Sequence, residues 1–190
     1  MGQWKWAMET LSVIVVAVPF SVVLGLLMGI LAWRSRLAER ILNPILNIAQ
    51  SLPHFAYMIP VVVFIGVGPK AGAIVTIIFS VPPMIRMSLL GLRAVSPEII
   101  ESGKMSGTTT VQLMTRVRLP AARTEILIGV NQVIMLALNM VIVSSMIGAG
   151  GLGYDVLLAL RALKVGQAME AGLAIVVIAI ILDRVMKQRA

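Results

Sequence analysis

The stretch SPEIIESGKMSGTTTVQLMTRVRLP, Ser96 to Pro120, is polar and basic and lies between long apolar runs. Its local grammar is well defined. Ser96 before Pro97 reads as an N-cap with proline at the first helical position, and Glu98 and Glu101 fall in the first turns, where the helix dipole favours acids. Gly107 suits a left-handed stop. Thr109-Thr110-Val111-Gln112 reads as a capping box opening a second short helix, which Leu119-Pro120 closes. The stretch is expected to form a helix–glycine–helix elbow outside the bilayer, and an elbow kept between spans implies contact with something soluble.

The rest of the chain supplies those spans. Of 190 residues, 59% are hydrophobic and 13% charged, against about 45–50% and about 25% in soluble domains. Long continuous apolar runs make this an all-α, polytopic membrane protein forming one transmembrane domain over residues 1–190. There is no cysteine, hence no disulfide framework and no thiolate metal site. A single histidine builds no histidine cluster. The net charge of +8 is read as orientation along anionic membrane faces, not as nucleic-acid binding.

Five spans are expected, over about residues 8–33, 45–67, 71–90, 125–147 and 169–186. The first has no charged segment before it and no clear cleavage site after it, so it reads as a span and not a signal peptide. Trp4, Trp6 and Trp33 read as interfacial anchors. Gly25 and Gly29 form G-x-x-x-G, either a close-packing face or glycine merely tolerated. The basic connector Arg34–Arg40 leads into Leu37, Ile41, Ile45 and Ile48 at helical spacing, an amphipathic approach to span two.

Pro53 and Pro60 interrupt span two, which is tolerated only where protein or a water-filled cavity satisfies the freed carbonyls. Gln50, Ser51 and His54 cluster at the first break. They read as a lumen-facing patch or as interfacial residues bonding neighbouring helices. Pro82-Pro83 is a hinge or the bend where span three leaves the membrane. Asn131, Gln132 and Asn139 make a polar stripe on span four, facing a pathway or gluing helices, with Ser144-Ser145 beyond. Gly148–Gly153 matches G-x-G-x-x-G, but no strand precedes it and no βαβ unit follows, so the glycines read as a flexible re-entry. Asp155–Gln167 is an amphipathic connector, and Glu170 falls at the interface.

Charge sets the orientation. Arg34, Arg36 and Arg40 follow span one; Arg86, Arg93, Lys104, Arg116, Arg118 and Arg123 follow span three; Arg184, Lys187 and Arg189 follow span five. Only Lys5, Lys70, Arg161 and Lys164 fall on the other side. The positive-inside rule places the larger set, and the elbow, in the cytoplasm, with the N-terminus outside and the C-terminus inside.

No engine is visible. Gly103-Lys104 lacks the upstream glycine and following hydroxyl of a phosphate-binding loop, and there is no H-E-x-x-H, nucleophile elbow or proton-relay carboxylate pair. The chain is therefore expected to have no catalytic residues, metal or cofactor of its own.

Glu101-Ser102-Gly103, three residues, Gly107, nine residues, then Val117-Arg118-Leu119-Pro120 resembles the EAA loop of ABC importer permeases, E-A-A, three residues, G, nine residues, I-x-L-P. Ser102 and Gly103 stand for the two alanines and Val117 for isoleucine. Gln50–Pro53, Ile77–Arg86, Gly129–Gln132, Met135–Leu138, Ser145–Gly153 and Ile180–Arg184 are similar to the glycine betaine/proline/choline branch. Together the likeness covers most of residues 5–186.

The resemblance implies a type I importer permease in the inner membrane of a bacterium or archaeon, serving osmoprotection. It implies a homodimer bound to two cytoplasmic ATPase subunits and to an extracytoplasmic binding protein or fused domain. Glu98, Glu101, Ser102, Gly103, Gly107, Leu119 and Pro120 would couple to the ATPase. Gln50, Ser51, His54, Phe55, Tyr57, Asn131, Gln132, Asn139 and Ser144 are the candidate translocation residues. Quaternary ammonium ligands favour aromatic cages; the few aromatics lie near span ends, so such a cage is expected on the binding protein. The chain carries no long extension of the kind some of these permeases have, and regulation through such a tail is not expected. The alternatives are a permease for another small polar solute, such as an amino acid, or a membrane anchor that recruits a partner and moves nothing.

Overall fold

A computed structural model describes residues 2–187. The assignment of Arg189 and the C-terminus to the cytoplasmic side falls outside them. Ten helices and one π-helical stretch account for nearly all of the described chain: α1 (Gly2–Arg34), α2 (Arg36–Ser51), α3 (His54–Ile65), α4 (Pro69–Ala94), α5 (Pro97–Met105), α6 (Thr110–Gln112), the π stretch (Leu113–Arg118), α7 (Leu119–Ala121), α8 (Arg123–Ser145), α9 (Gly151–Arg161) and α10 (Val165–Lys187). Four of them, α1, α4, α8 and α10, are long and apolar enough to cross a membrane. Counting the pair α2–α3 as one bent span makes five.

That bend corrects the picture of span two. It is two helices meeting at 101°, not one interrupted rod. Pro53 disfavours the helical region for the residue before it, and Leu52 is accordingly extended, with φ −73° and ψ 137°. Alone, the 12 residues of α3 rise about 18 Å, short of the roughly 30 Å hydrocarbon core. Pro60 lies inside α3 without ending it.

Pro82-Pro83 also behaves differently from the expected exit bend. Both are buried near the middle of α4, which runs on to Ala94. Serine and threonine hydroxyls around them bond back to the helix: Thr76 Oγ1 donates to the Gly72 carbonyl and Ser80 Oγ to that of Thr76.

Small residues set how the spans pack. Ser21 Oγ lies 2.9 Å from Ser80 Oγ. A Cβ at Gly25 would fall 2.6 Å from Met84 Cβ, and one at Gly29 2.5 Å from Ser88 Cβ. All three pairs share the 59-residue offset of Ser21 and Ser80, so α1 and α4 run parallel. The close-packing reading of G-x-x-x-G holds, and the motif extends back to Ser21.

α8 returns antiparallel along the other side of α4. Gly91 faces Ala122 and Glu125, Gly129 faces Met87 and Met84, and Gly72 faces Ser144 and Ala149. The C-terminal ends of α1 and α4, the start of α8 and the elbow therefore share one end of the bundle. The start of α1, the end of α8 and α9 share the other.

At that second end the glycine run is pinned, not loose. Gly148, Gly150 and Gly151 have φ of 79°, 79° and 77°, a conformation only glycine adopts routinely. The N–H groups at the start of α9, which have no partner within the helix, are met by α1: Gly151 donates to Glu9 Oε2 at 3.1 Å and Leu152 to Thr10 Oγ1 at 2.9 Å. A carboxylate at a helix N-terminus complements its dipole. Asp155, at the start of the expected amphipathic connector, is 4% exposed and accepts from Gln3 Nε2 and Gln167 Nε2 at 2.7 and 3.0 Å. Arg161, Lys164 and Glu170 are exposed, and α10 begins at Val165, ahead of the expected start of span five.

Candidate functional site: a docking elbow and an open helix face

The elbow forms as its sequence dictates. Gly107 has φ +71° and its N–H bonds to the Lys104 carbonyl. The capping box is complete, with Gln112 N donating to Thr109 Oγ1 at 3.3 Å and Thr109 N to Gln112 Oε1 at 2.9 Å. Two details differ from expectation. Ser96 makes no side-chain cap; Pro97 at the first position leaves it one fewer N–H to meet. Pro120 does not end the helix but opens its final turn, through Ala121.

Between them lies a π-helical stretch, Leu113–Arg118, a form that is rare and concentrated at functional positions.

The two arms touch through Gly103. A Cβ there would lie 2.9 Å from Leu113 Cδ1 and 3.1 Å from Val117 Cγ2, and Thr108 Oγ1 donates to the Gly103 carbonyl at 2.8 Å. Glycine stands at this contact where the pattern has alanine. Glu98, Glu101 and Ser102 remain exposed along α5, as does Pro120, while Leu119 is half-buried. A cavity of about 500 Å³ opens beside them, lined by Glu98, Ile99, Ser102, Gly103, Ser106, Thr108 and Val117. Met105 and Val111 flank the Gly107 turn with 84% and 72% of their surface exposed. The tip of the elbow is thus apolar and exposed, with acids and hydroxyls beside it.

The elbow's inner side packs on the bundle end. Leu92, Val95 and Ala122 form a buried cluster with Trp33, Ile100, Met114 and Leu119 against it. Sequence reading missed the polar part of this joint. Arg118 lies over the Trp33 ring, 4.3 Å from its centre, and its Nη1 donates to the Leu92 carbonyl at 3.0 Å. Partial burial draws the Arg118 pKa below its ordinary value. The only sequence signal was arginine within the V-x-L-P segment.

The candidate translocation residues fall into two groups. At the α2–α3 break, Gln50, Ser51, His54 and Phe55 are exposed. Ser51 Oγ donates to the Ile48 carbonyl. His54 and Tyr57 converge on Phe79, with centroids 4.5 and 5.7 Å away, and the Tyr57 hydroxyl donates to the Ala49 carbonyl across the break. On α8, Gln132, Met135 and Asn139 line one exposed face, at the i, i+3, i+7 spacing of a helix.

Asn131 turns aside; its Oδ1 is buried without a hydrogen-bond partner and borders a cavity of about 340 Å³ with Gln132, Met135 and Leu136. Ser144 is not on this face. It is buried against Gly72 and bonds the Val141 carbonyl. No hydrogen bond joins the two groups among the described residues. Nor do three or more His, Cys, Asp or Glu converge there to hold a metal.

Residues 4–187 match the family described as the binding-protein-dependent transport system inner membrane component. Over 98% of its length the chain is 50% identical to the trimethylamine N-oxide transport system permease protein TmoV of Ruegeria pomeroyi, covering 28% of that protein. It is 42% identical, over 97% of its length, to the glycine betaine transport system permease protein OpuAB of Bacillus subtilis, covering 66% of it. It is 44% identical, over 97%, to the glycine betaine/proline betaine permease ProW of Escherichia coli, covering 52%. The chain thus spans about a quarter to two-thirds of these relatives. In fold it matches a chain of the inward-facing MetNI methionine ABC transporter, with a TM-score of 0.77, 22% identity, and coverage of 98% of this chain and 92% of that one. With its bent span, its crossing helices and its elbow at one end of the bundle, the chain belongs to the binding-protein-dependent transport family of inner-membrane components and has the fold of an ABC importer permease.

Proposed function

We propose that this chain is the permease subunit of an ATP-driven importer for small solutes bearing a trimethylammonium group, such as glycine betaine or trimethylamine N-oxide. The observation that carries this reading is the elbow: a left-handed glycine between two arms, the second opened by a complete capping box, with Glu101, Gly107 and Leu119-Pro120 at the offsets of the EAA loop. A permease with no nucleotide site of its own needs a surface on which an ATPase can act. The names of the relatives support the solute class. Glu98, Glu101, Ser102 and the Gly107 turn would seat in a groove of an ATPase subunit. Two copies of the chain would each bind one ATPase and together receive solute from an extracytoplasmic binding protein.

In this reading the elbow end is cytoplasmic and the Gly2 end of α1 is outside, as the distribution of arginines favours. The pathway would run along the open Gln132–Asn139 face of α8 and past the Gln50–His54 break. Closure of the ATPases would move the elbows and rock the spans between two states, a form of alternating access.

The test is transport by the assembled complex, purified through a tag on this chain and reconstituted in vesicles with an added binding protein. ATP-dependent accumulation of labelled glycine betaine or trimethylamine N-oxide, with amino acids failing to compete, supports the reading. A complex that retains an ATPase but moves no solute would show the chain to be an anchor. Competition by amino acids would reassign the substrate.

A further inference from the structure

We propose that Arg118 is the positioning residue that makes the elbow and the α1–α4 pair move as one body, so that motion imposed on the elbow reaches the spans. This deepens the coupling reading above and rests on it.

A lever transmits only what its joint holds. The elbow is continuous with the bundle at two points, Val95-Ser96 and Ala121-Ala122. The first leads to α4 and the second to α8; neither leads to α1. Beside α1 the elbow leaves a cavity of about 660 Å³, bordered among others by Ile30, Trp33, Arg34, Lys104, Met114 and Arg118. Packing on that side is therefore incomplete. Arg118 spans it. Its guanidinium stacks on Trp33 at the end of α1 and donates to the carbonyl of Leu92 in the last turn of α4. That carbonyl is one of the final four of its helix, which have no partner within the helix and carry the negative end of its dipole. One planar cation thus meets a ring on α1 and an orphan acceptor on α4. A lysine cannot present both a stacking plane and a fixed fork of donors.

The two helices it joins are already packed tightly along their length. Ser21, Gly25 and Gly29 of α1 are in near-backbone contact with Ser80, Met84 and Ser88 of α4. Grasping their ends grasps the whole pair. The π-helical stretch carries Arg118 and ends on it. Burial of the guanidinium depresses its pKa without removing its charge.

The test compares Arg118→Met and Trp33→Leu with Trp33→Phe in the assembled, reconstituted complex, reading solute moved per ATP hydrolysed. In Arg118→Met and Trp33→Leu, hydrolysis persists while solute per ATP falls about fivefold or more, the low end of ordinary coupling between sites. Trp33→Phe, which keeps a ring under the cation, retains most of the ratio. A ratio unchanged in both Arg118→Met and Trp33→Leu overturns the proposal, as does a parallel loss of uptake and hydrolysis, which would place Arg118 in docking. Failure of both to assemble would make the contact one of folding alone and also overturns it. The coupling reading fails separately, if the unsubstituted complex hydrolyses ATP without uptake.

Discussion

Ser21 Oγ and Ser80 Oγ lie 2.9 Å apart in the buried seam between α1 and α4. Ser80 Oγ is also 2.6 Å from the Thr76 carbonyl, so Ser80 donates there and accepts from Ser21. The roles are unequal. Ser80→Ala strands the Ser21 hydroxyl and is expected to cost about 1 kcal/mol, near the low end for an orphaned buried group. Ser21→Ala leaves Ser80 bonded to its helix and costs about 0.6 kcal/mol, the average for interhelical bonds in membranes. Unfolding in mixed detergent micelles measures both; equal costs would contradict the donor assignment.

Gly29 has no room for a side chain, because its Cβ would meet Ser88 Cβ at 2.5 Å, an atom fixed to the backbone. Gly29→Leu is expected to force α1 from α4 and to cost about 1–3 kcal/mol or more, as overpacking does. Gly172 in α10 has nothing within 4 Å of its Cβ. Gly172→Ala is expected to stabilise by up to about 1 kcal/mol through helix propensity. Thermal inactivation of the purified protein separates the two; similar effects would contradict the seam.

The elbow glycines differ in kind. Gly107 has open space around it but a left-handed backbone, so Gly107→Ala should cost the elbow about 1–2 kcal/mol of local stability. Gly107→Trp should still insert in the membrane yet lose uptake. Gly103 has an ordinary backbone and a crowded Cβ position, where the nearest atom is the movable tip of Leu113. Gly103→Ala should be close to neutral, its gain in helix propensity of up to about 1 kcal/mol offsetting the displaced side chain. Amide exchange of Ser102–Gln112 checks the ordering: faster in Gly107→Ala, unchanged in Gly103→Ala.

These positions show what a sequence can and cannot carry. Gly107 and Thr109–Gln112 were legible because their signals are local: a left-handed residue and a reciprocal cap need only near neighbours. Gly25 and Gly29 were ambiguous, since a small residue declares closeness only once its partner helix is in place. Arg118 was counted as a cytoplasmic charge, because Trp33 and Leu92 lie 85 and 26 residues away and nothing local points to them. Asp155 reads only as part of an amphipathic connector for the same reason: Gln3 lies 152 residues away. Pro82-Pro83 misled, because the hydroxyls and close neighbours that accommodate prolines inside a span are tertiary facts.

Asp155 binds three helices together at the end opposite the elbow. It sits in α9 and accepts from Gln3 of α1 and Gln167 of α10. Asp155→Leu removes both acceptors from two amide donors and is expected to destabilise by about 1–3 kcal/mol. Asp155→Asn keeps one acceptor oxygen and should lose less. Tryptic cleavage after Lys164, which is exposed beside α9, reports the loosening; equal cleavage in both variants and the unsubstituted protein would show that the cluster holds nothing.

The central claim is that the elbow is where an ATPase acts. The chain has no cysteine, so Ser102→Cys, exposed on α5, gives this subunit a single thiol, which is labelled with a short photo-cross-linker before the transporter is assembled and reconstituted. The account predicts a cross-link to the ATPase subunit, abolished when the same thiol is placed at Leu173 on the exposed face of α10. ATP-driven uptake with no cross-link from Ser102→Cys to the ATPase would contradict it.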